Sequence, residues 1–110
     1  MLNYEISALE LKRLLTEGDH GDCVLLDVRE AWEYEEARIE GSISIPMGEI
    51  PERAYRELDP EARIIAICHH GVRSMSVTSW LREQGYERAQ SLRGGIDGWS
   101  VNVDSSVPRY

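Results

Sequence analysis

The sequence has no hydrophobic run long enough to cross a bilayer, and it contains only two cysteines, Cys23 and Cys68. A transmembrane helix needs about 20 predominantly apolar residues, so we predict no membrane span and no membrane partner. Two cysteines are too few for a disulfide scaffold, and the lack of a Cys-x-x-Cys pair argues against structural zinc. The first five residues lack the basic start and apolar core of a secretory signal, which makes a cytoplasmic location the expectation.

Positive charge is also scarce. The chain carries 12 Lys and Arg against 20 Asp and Glu, a formal net charge of −8. Nucleic-acid binding needs a concentrated basic face, so nucleic acid is not expected as a partner. Residues 1–67 hold 7 basic and 16 acidic side chains, whereas residues 68–110 hold 5 and 4. A site for an anion is therefore expected in the second part, although acidic surfaces that serve only solubility would also explain the imbalance.

The remaining composition is that of a folded domain, with 42% hydrophobic and 29% charged residues. A length of 110 residues fits a single domain over residues 1–110. Apolar runs at residues 24–28 and 64–67 predict buried strands, and weaker strands are predicted at 42–45 and 89–92. Helix-like segments separate these runs, which indicates an α/β domain with a mainly parallel sheet.

The predicted helices follow recognisable start signals. Ser7 and Glu10 form a capping box at the start of the first helix. Further helices are predicted over residues 30–37, 51–58 and 74–84, the second of them opening with a proline. Residues 94–99 are predicted to form a glycine-rich turn, followed by an irregular tail.

A cysteine-containing loop joins the strand at 64–67 to the helix at 74–84, and it reads Cys68-His69-His70-Gly71-Val72-Arg73-Ser74. In parallel sheets, ligands bind beyond the carboxyl ends of the strands, where this loop lies. The open amides and partial positive charge of a helix N-terminus favour a thiolate at Cys68. Arg73 adds a fixed positive charge, and Gly71 permits a tight turn. We therefore interpret the loop as an anion cradle with a nucleophile at its base, rather than Cys68 as a buried structural cysteine.

Four segments of the chain resemble, in the same order, those of the rhodanese-like sulfurtransferase family. They are residues 25–30, 38–46, 68–74, and 85–86 together with 92–99. Arg38 departs from the histidine found in many members, outside the catalytic loop. The resemblance implies a rhodanese-like fold with about five strands and helices on both faces. It also implies that Cys68 takes a sulfane sulfur from thiosulfate or a persulfide donor and passes it to a nucleophilic acceptor, without a cofactor.

Loop length separates two branches of this fold. In the branch of cell-cycle phosphatases and arsenate reductases, five residues separate the cysteine from the arginine, whereas four separate Cys68 from Arg73. The shorter loop suits a single sulfur atom, and the loop has no acidic residue to protonate a leaving alcohol. An enzyme of the thiosulfate sulfurtransferase type is therefore favoured. The alternatives are a phosphatase or arsenate reductase of the same fold, or a non-catalytic module that senses a persulfide or docks a partner.

The sequence predicts a role for most residues of this loop. Arg73 is predicted to orient a small anionic sulfur donor, and a ring of main-chain amides around Cys68 is expected to stabilise anionic sulfur. Ser74 is either a helix N-cap or a hydrogen-bond donor within the site. The side chains of His69 and His70 should diverge at the rim, where they add positive charge when protonated, contact an acceptor, or have no role. Two adjacent histidines are a poor metal pair, so no metal site is predicted. The remaining residues of the predicted binding site are Gly71 and Val72.

Asp27 and Arg29 follow the first predicted strand, at the same edge of the sheet as Cys68. We predict an ion pair between them that lines the site or braces the loop. Cys23 precedes this strand, so the two thiols should lie at opposite ends of the sheet, beyond the Cα separation of about 7 Å that a disulfide tolerates. Cys23 is therefore predicted to be structural.

The tail at residues 104–110 resembles the ends of rhodanese domains that are fused to ubiquitin-activating-like adenylyltransferases. The resemblance adds a sulfur-carrier protein to the expected acceptors, beside a small thiol. The three tryptophans are predicted to pack in the core or at the rim of the site rather than to stack on a ligand. They are Trp32, Trp80 and Trp99.

Overall fold

The computed structural model describes residues 2–17 and 23–110, and its strands form one sheet in which every pairing is parallel. The strand order is β1-β5-β4-β2-β3. The strands are β1 (Glu5–Ile6), β2 (Cys23–Asp27), β3 (Ile43–Ser44), β4 (Arg63–Ile67) and β5 (Ala89–Leu92). The predicted α/β class with a mainly parallel sheet of about five strands is confirmed.

Helices cover both faces of the sheet, as predicted. They are α1 (Ala8–Glu17), α2 (Ala31–Glu36), α3 (Ile50–Glu57), α4 (Val72–Glu83) and α5 (Gly95–Asn102), with a 3₁₀ turn at Met47–Glu49 before α3. One core cluster joins α3 and α4 to the sheet, and a second joins α1 and α5. Because successive strand side chains point to opposite faces, Leu25 lies in the second cluster and Leu26 in the first.

The start of α1 follows its predicted capping box. The Ser7 amide donates to the Glu10 carboxylate at 3.1 Å, and the Glu10 amide donates to the Ser7 hydroxyl at 3.1 Å. Strand β1 has no counterpart among the predicted elements, because two residues are too few to show a pattern. Its neighbour β5 holds it in place through a hydrogen bond from the Arg93 amide to the Ile6 carbonyl at 2.9 Å.

Two local predictions are wrong, and both concern glycines. Helix α4 begins at Val72 rather than Ser74, because Gly71, with a φ of 107°, occupies the N-cap position. Residues 94–99 contain the start of α5 instead of a turn, because tertiary hydrogen bonds from the amides of its first turn to the carbonyls of Cys68 and His69 override the low helix propensity of glycine.

The strand register decides which residues meet at one edge. In the β2–β4 pair, Cys23 lies opposite Arg63, and Asp27 lies opposite Ile67. Cys68 and Asp27 therefore share the carboxyl edge, whereas Cys23 lies at the other end of the sheet, as predicted. Among residues 2–17 and 23–110, no helix combines the length and the apolar character that crossing a membrane requires.

Candidate active site

Cys68 is fully buried at the end of β4, and its thiol has two polar neighbours. The Gly71 amide donates a hydrogen bond to Sγ at 3.0 Å, and Sγ lies 3.3 Å from the Ser74 hydroxyl. The residue also belongs to the apolar cluster beneath α4. The thiol therefore lies at the boundary between a dry core and a polar loop.

The predicted ring of amides is smaller than expected around the sulfur atom itself. Within residues 69–74, the Gly71 amide is the one that donates to Sγ. The first intrahelical bond of α4 runs from the Met75 amide to the Gly71 carbonyl at 3.2 Å. The amides of the preceding first turn, at residues 72–74, belong to the end of a helix where the N–H groups have no intrahelical acceptor.

Ser74 is not the helix N-cap, and its hydroxyl belongs to the site. It lies 2.7 Å from the hydroxyl of Ser91 and 3.3 Å from Cys68 Sγ. It also donates to the Gly71 carbonyl at 3.3 Å. Of the two roles predicted for this residue, the geometry supports the hydrogen bond within the site.

The N-terminus of α5 holds the beginning of the cysteine-containing loop. The Ile96 amide donates to the Cys68 carbonyl at 2.9 Å, and the Asp97 amide donates to the His69 carbonyl at 3.1 Å. Gly95, with a φ of 60°, lies so close to these two carbonyls that a Cβ atom there would overlap both oxygens. The glycine-rich segment therefore positions the loop, although it was predicted only as a turn.

Arg73 does not present an unopposed charge, because it is paired with a carboxylate from α2. Its two terminal nitrogens donate to the two oxygens of Glu33 at 2.7 and 2.9 Å. The Glu33 side chain is 6% exposed, and that of Arg73 is 36% exposed. The hydrogen bonds from Arg73 lower the pKa of Glu33 to about 2, and the same pair raises the pKa of Arg73. Glu33 is therefore an anion throughout the physiological range.

Glu33 was absent from the predicted site. The local signal was its position three residues after Glu30, since the Glu30 amide donates to the Glu33 carboxylate at 3.1 Å, as in a capping box. That signal identifies a helix start but no partner. Glu33 and Arg73 are 40 positions apart in the sequence.

The Glu33–Arg73 pair predicts an acid-sensitive contribution to stability. The pKa of Glu33 is about 2 in the folded protein and near 4.5 without its partners, so the contribution is complete above pH 4.5 and is lost as the pH falls towards 2. We expect Glu33→Gln to lower the free energy of unfolding by about 2 kcal/mol at pH 6 and by much less near pH 3. Urea unfolding at several pH values measures this. The exposed Glu35→Gln is the control, and a Glu33→Gln deficit that stays constant with pH would contradict the assignment.

Asp27 and Arg29 form the predicted ion pair. Arg29 donates to both Asp27 oxygens, at 2.9 and 2.7 Å, and both residues are fully buried. Arg29 also donates to the carbonyl of Glu33, within α2, and to that of Ala37, directly after α2. The pair therefore ties the end of β2 to the helix that supplies Glu33, which is closer to a bracing role than to a wall of the site.

Tyr110 completes this network, and sequence reasoning missed it. Arg29 donates to the Tyr110 hydroxyl at 2.8 Å, and that hydroxyl donates to Glu33 at 2.7 Å. The Tyr110 ring stacks on His69 with the centroids 4.1 Å apart and contacts Trp32 edge-on at 5.9 Å. Burial, together with the anionic Glu33, raises the pKa of Tyr110. A chain of hydrogen bonds thus runs from Arg29 through Tyr110 to Glu33.

The two histidines do not diverge, and that prediction is wrong. The rings of His69 and His70 stack with their centroids 4.0 Å apart, and His69 lies between His70 and Tyr110. Burial and the neighbouring His70 lower the pKa of His69, which favours its neutral form. Val72, the remaining residue of the predicted binding site, is 78% exposed at the start of α4.

The tryptophans have packing positions. Trp99 is buried in the core, Trp80 packs against the other core cluster, and Trp32 is 60% exposed beside Tyr110. The described residues contain no cluster of three His, Cys, Asp or Glu side chains suited to a metal ion.

Comparison with known proteins agrees with this architecture. The profile of the family described as Rhodanese-like domain matches residues 7–102. The chain is 33% identical over 106 residues to thiosulfate sulfurtransferase GlpE of Coxiella burnetii, a match that covers 96% of this chain and 95% of that protein. It is 37% identical over 92 residues to the Rhodanese-like/PpiC domain-containing protein 12 of Arabidopsis thaliana, covering 81% of this chain but only 31% of that longer protein. The crystal structure of a rhodanese-related protein from Thermoplasma volcanium superposes with a TM-score of 0.80 at 29% identity, over 92% of this chain and 94% of that one.

Proposed function

The chain belongs to the rhodanese-like domain family, a family of sulfurtransferases, and from this premise we propose that it transfers sulfane sulfur through a persulfide on Cys68. The observation that carries the proposal is the hydrogen bond from the Gly71 amide to Cys68 Sγ, at the base of a loop that runs into the N-terminus of α4. A donor amide at this position stabilises negative charge on sulfur, which both the attacking thiolate and the persulfide need.

The reaction has two displacements in ping-pong order. In the first, the Cys68 thiolate attacks the outer sulfur of thiosulfate or of a persulfide, the S–S bond of the donor breaks, and its electron pair leaves with sulfite or a thiolate. In the second, a nucleophilic acceptor attacks the terminal sulfur on Cys68, and the Cys68 thiolate is released. Total charge is conserved in each step, and neither requires an oxidant or a cofactor.

The loop supplies the groups that these steps require. The Ser74 hydroxyl can donate to the thiolate, and Arg73 can donate to a donor oxygen through N–H groups that Glu33 leaves open, since a guanidinium has five. The amides of residues 72–74 lie at the N-terminus of α4, and they would donate hydrogen bonds to the outer sulfur of the persulfide. His69 and His70 would contact the incoming acceptor at the rim.

The acceptor is proposed to be a thiol or the end of a sulfur-carrier protein. The support for a carrier protein is the resemblance of residues 104–110 to domains joined to adenylyltransferases, and this tail reaches the site through Tyr110. The spacing of four residues between Cys68 and Arg73 supports sulfur rather than phosphate as the transferred group.

Intact mass spectrometry after incubation with thiosulfate tests the proposal. We expect one added sulfur, about 32 Da, on wild-type protein, and its removal by a reducing thiol. The matched variants are Cys68→Ser, which should not gain mass, and Cys23→Ser, which should. Addition of sulfur to Cys23 instead, or no addition from either thiosulfate or an alkyl persulfide, would contradict the proposal.

A further inference from the structure

The charges around Cys68 cancel in pairs, which has a consequence for the donor. Arg73 is paired with Glu33 at 2.7 Å, and Arg29 with Asp27 at 2.7 Å. Next to the histidines, Asp97 is paired with Arg109 at 2.8 Å and lies 4.0 Å from His70. Each of these three arginines is therefore matched by a carboxylate, and the protein as a whole has a net charge of −8.

A dianion gains little from such a site. The attraction between Arg73 and a donor is opposed by the repulsion between Glu33 and the same donor, and both act over similar distances because the two side chains are in contact. Repulsion grows with the product of the charges, so the penalty that Glu33 imposes on a dianion is twice that on a monoanion. It vanishes for a neutral donor.

Hydrogen bonds hold the Glu33 carboxylate in a fixed position. Both of its oxygens accept from Arg73, one also accepts from the Tyr110 hydroxyl, and the other accepts from the Glu30 amide. Its low pKa keeps it charged at every pH at which the enzyme would work. The carboxylate is thus held next to Arg73 from three directions.

We propose that Glu33 is a specificity-determining residue that shifts the preference of this site away from dianionic donors such as thiosulfate and towards monoanionic and neutral sulfane-sulfur compounds, such as organic thiosulfonates and alkyl persulfides. This inference rests on the proposed function. With a thiosulfonate, the Cys68 thiolate attacks the outer sulfur, the S–S bond breaks, and a sulfinate leaves with the electron pair. Arg73 then acts as a hydrogen-bond donor that orients the donor oxygen, without a net charge in the pair.

The test compares thiosulfate with methanethiosulfonate, in which a methyl group replaces one charged oxygen. Both are assayed by thiocyanate formation from cyanide. We expect Glu33→Gln to raise kcat/KM about tenfold for thiosulfate and about threefold for methanethiosulfonate, because the dianion is relieved of twice the repulsion. The donor ratio, defined as kcat/KM for thiosulfate divided by kcat/KM for methanethiosulfonate, is compared between variants. This comparison cancels the different intrinsic reactivities of the two donors.

Two control variants separate charge from structure. Tyr110→Phe removes the hydrogen bond to Glu33 without changing any charge, so the donor ratio should stay within about twofold of the wild-type value. Glu35→Gln removes an exposed carboxylate of the same helix and should leave the ratio unchanged. If Glu33→Gln lowers kcat/KM equally for both donors, or leaves the ratio unchanged, Glu33 serves only to position Arg73 and the inference is wrong.

The salt dependence of kcat/KM for the wild-type protein is a second test, and it does not depend on the folding of any variant. Salt screens repulsion, so raising the ionic strength should increase kcat/KM more for thiosulfate than for methanethiosulfonate. A falling response for thiosulfate means that Arg73 acts as an unopposed cation, and a flat response means that no repulsion opposes the dianion. Either result overturns the inference while leaving the sulfurtransferase assignment intact. A wild-type protein that takes sulfur from neither donor refutes both.

Discussion

Replacing Cys68 by serine is expected to lower thiocyanate formation from thiosulfate and cyanide by at least about 1000-fold. A serine hydroxyl is a far weaker nucleophile than a thiolate near neutral pH, and the two groups that contact the side chain at this position, the Gly71 amide and the Ser74 hydroxyl, are not general bases that would activate it. The serine oxygen can still accept from the Gly71 amide and contact Ser74, so the fold should persist. Steady-state kinetics, with circular dichroism to confirm folding, measures the effect.

Cys23→Ser is the matched control for this experiment, because it makes the same chemical change at the opposite end of the sheet. Its kcat/KM should stay within about twofold of wild type, because Cys23 lies at the other end of the sheet and contacts neither Cys68 nor its loop. A Cys68→Ser protein that still produces thiocyanate would refute the catalytic assignment. Equal losses in the two variants would show that the assay reports protein stability instead.

Replacing Gly95 by alanine is expected to damage both the fold and the activity. The substitution places a Cβ atom against the carbonyls of Cys68 and His69, and it requires a non-glycine residue at a φ of 60°. The left-handed conformation costs about 1 kcal/mol and the overlap about 2 kcal/mol more, so the free energy of unfolding should fall by about 3 kcal/mol. Because these carbonyls belong to the first two residues of the loop proposed to be catalytic, a shift of the loop should lower kcat/KM about 100-fold.

Gly41→Ala separates backbone strain from the overlap. Gly41 has a φ of 87° and no atom within 4 Å of the position of a Cβ, so it incurs only the conformational cost, about 1 kcal/mol. Its kcat/KM should be unchanged, because it lies between α2 and β3, outside the loop. Urea unfolding and steady-state kinetics on both variants give the comparison. A Gly95→Ala protein no less stable and no less active than Gly41→Ala would show that α5 does not position the loop.

The parts of the site that are local in sequence were predictable. The strand, the cysteine and the helix around residues 64–84 form one continuous segment, so the apolar run, the cysteine and the glycine together predict the candidate nucleophile and its loop. The capping box at Ser7 and Glu10 was predictable for the same reason, because its two hydrogen bonds join residues three positions apart. The start of α4 was misplaced by two residues, since Gly71 and Ser74 both suit a cap and their side chains alone do not decide between them.

The charge state of the site was not predictable in this way. Arg73 was expected to add a fixed positive charge to the loop, whereas Glu33, 40 positions earlier in the sequence, pairs with it. The same holds for Tyr110, which meets Arg29 across 81 positions. The wrong prediction that His69 and His70 diverge has a related cause. The His69 ring also stacks on Tyr110, a residue more than 40 positions later in the sequence, and neighbouring residues give no sign of that contact.

By itself the sequence determined the α/β class, the parallel sheet, the family resemblance and the cysteine at the end of β4, since periodicity and neighbouring residues encode all of these. Only the tertiary structure decided what surrounds that cysteine. Helix α5, through Gly95, packs against the start of the loop. The Glu33 carboxylate pairs with Arg73, and the Tyr110 hydroxyl joins Glu33 to Arg29. The physical reason is that electrostatic and steric effects depend on distance in space, and the strand order β1-β5-β4-β2-β3 brings together segments that sequence separation keeps apart.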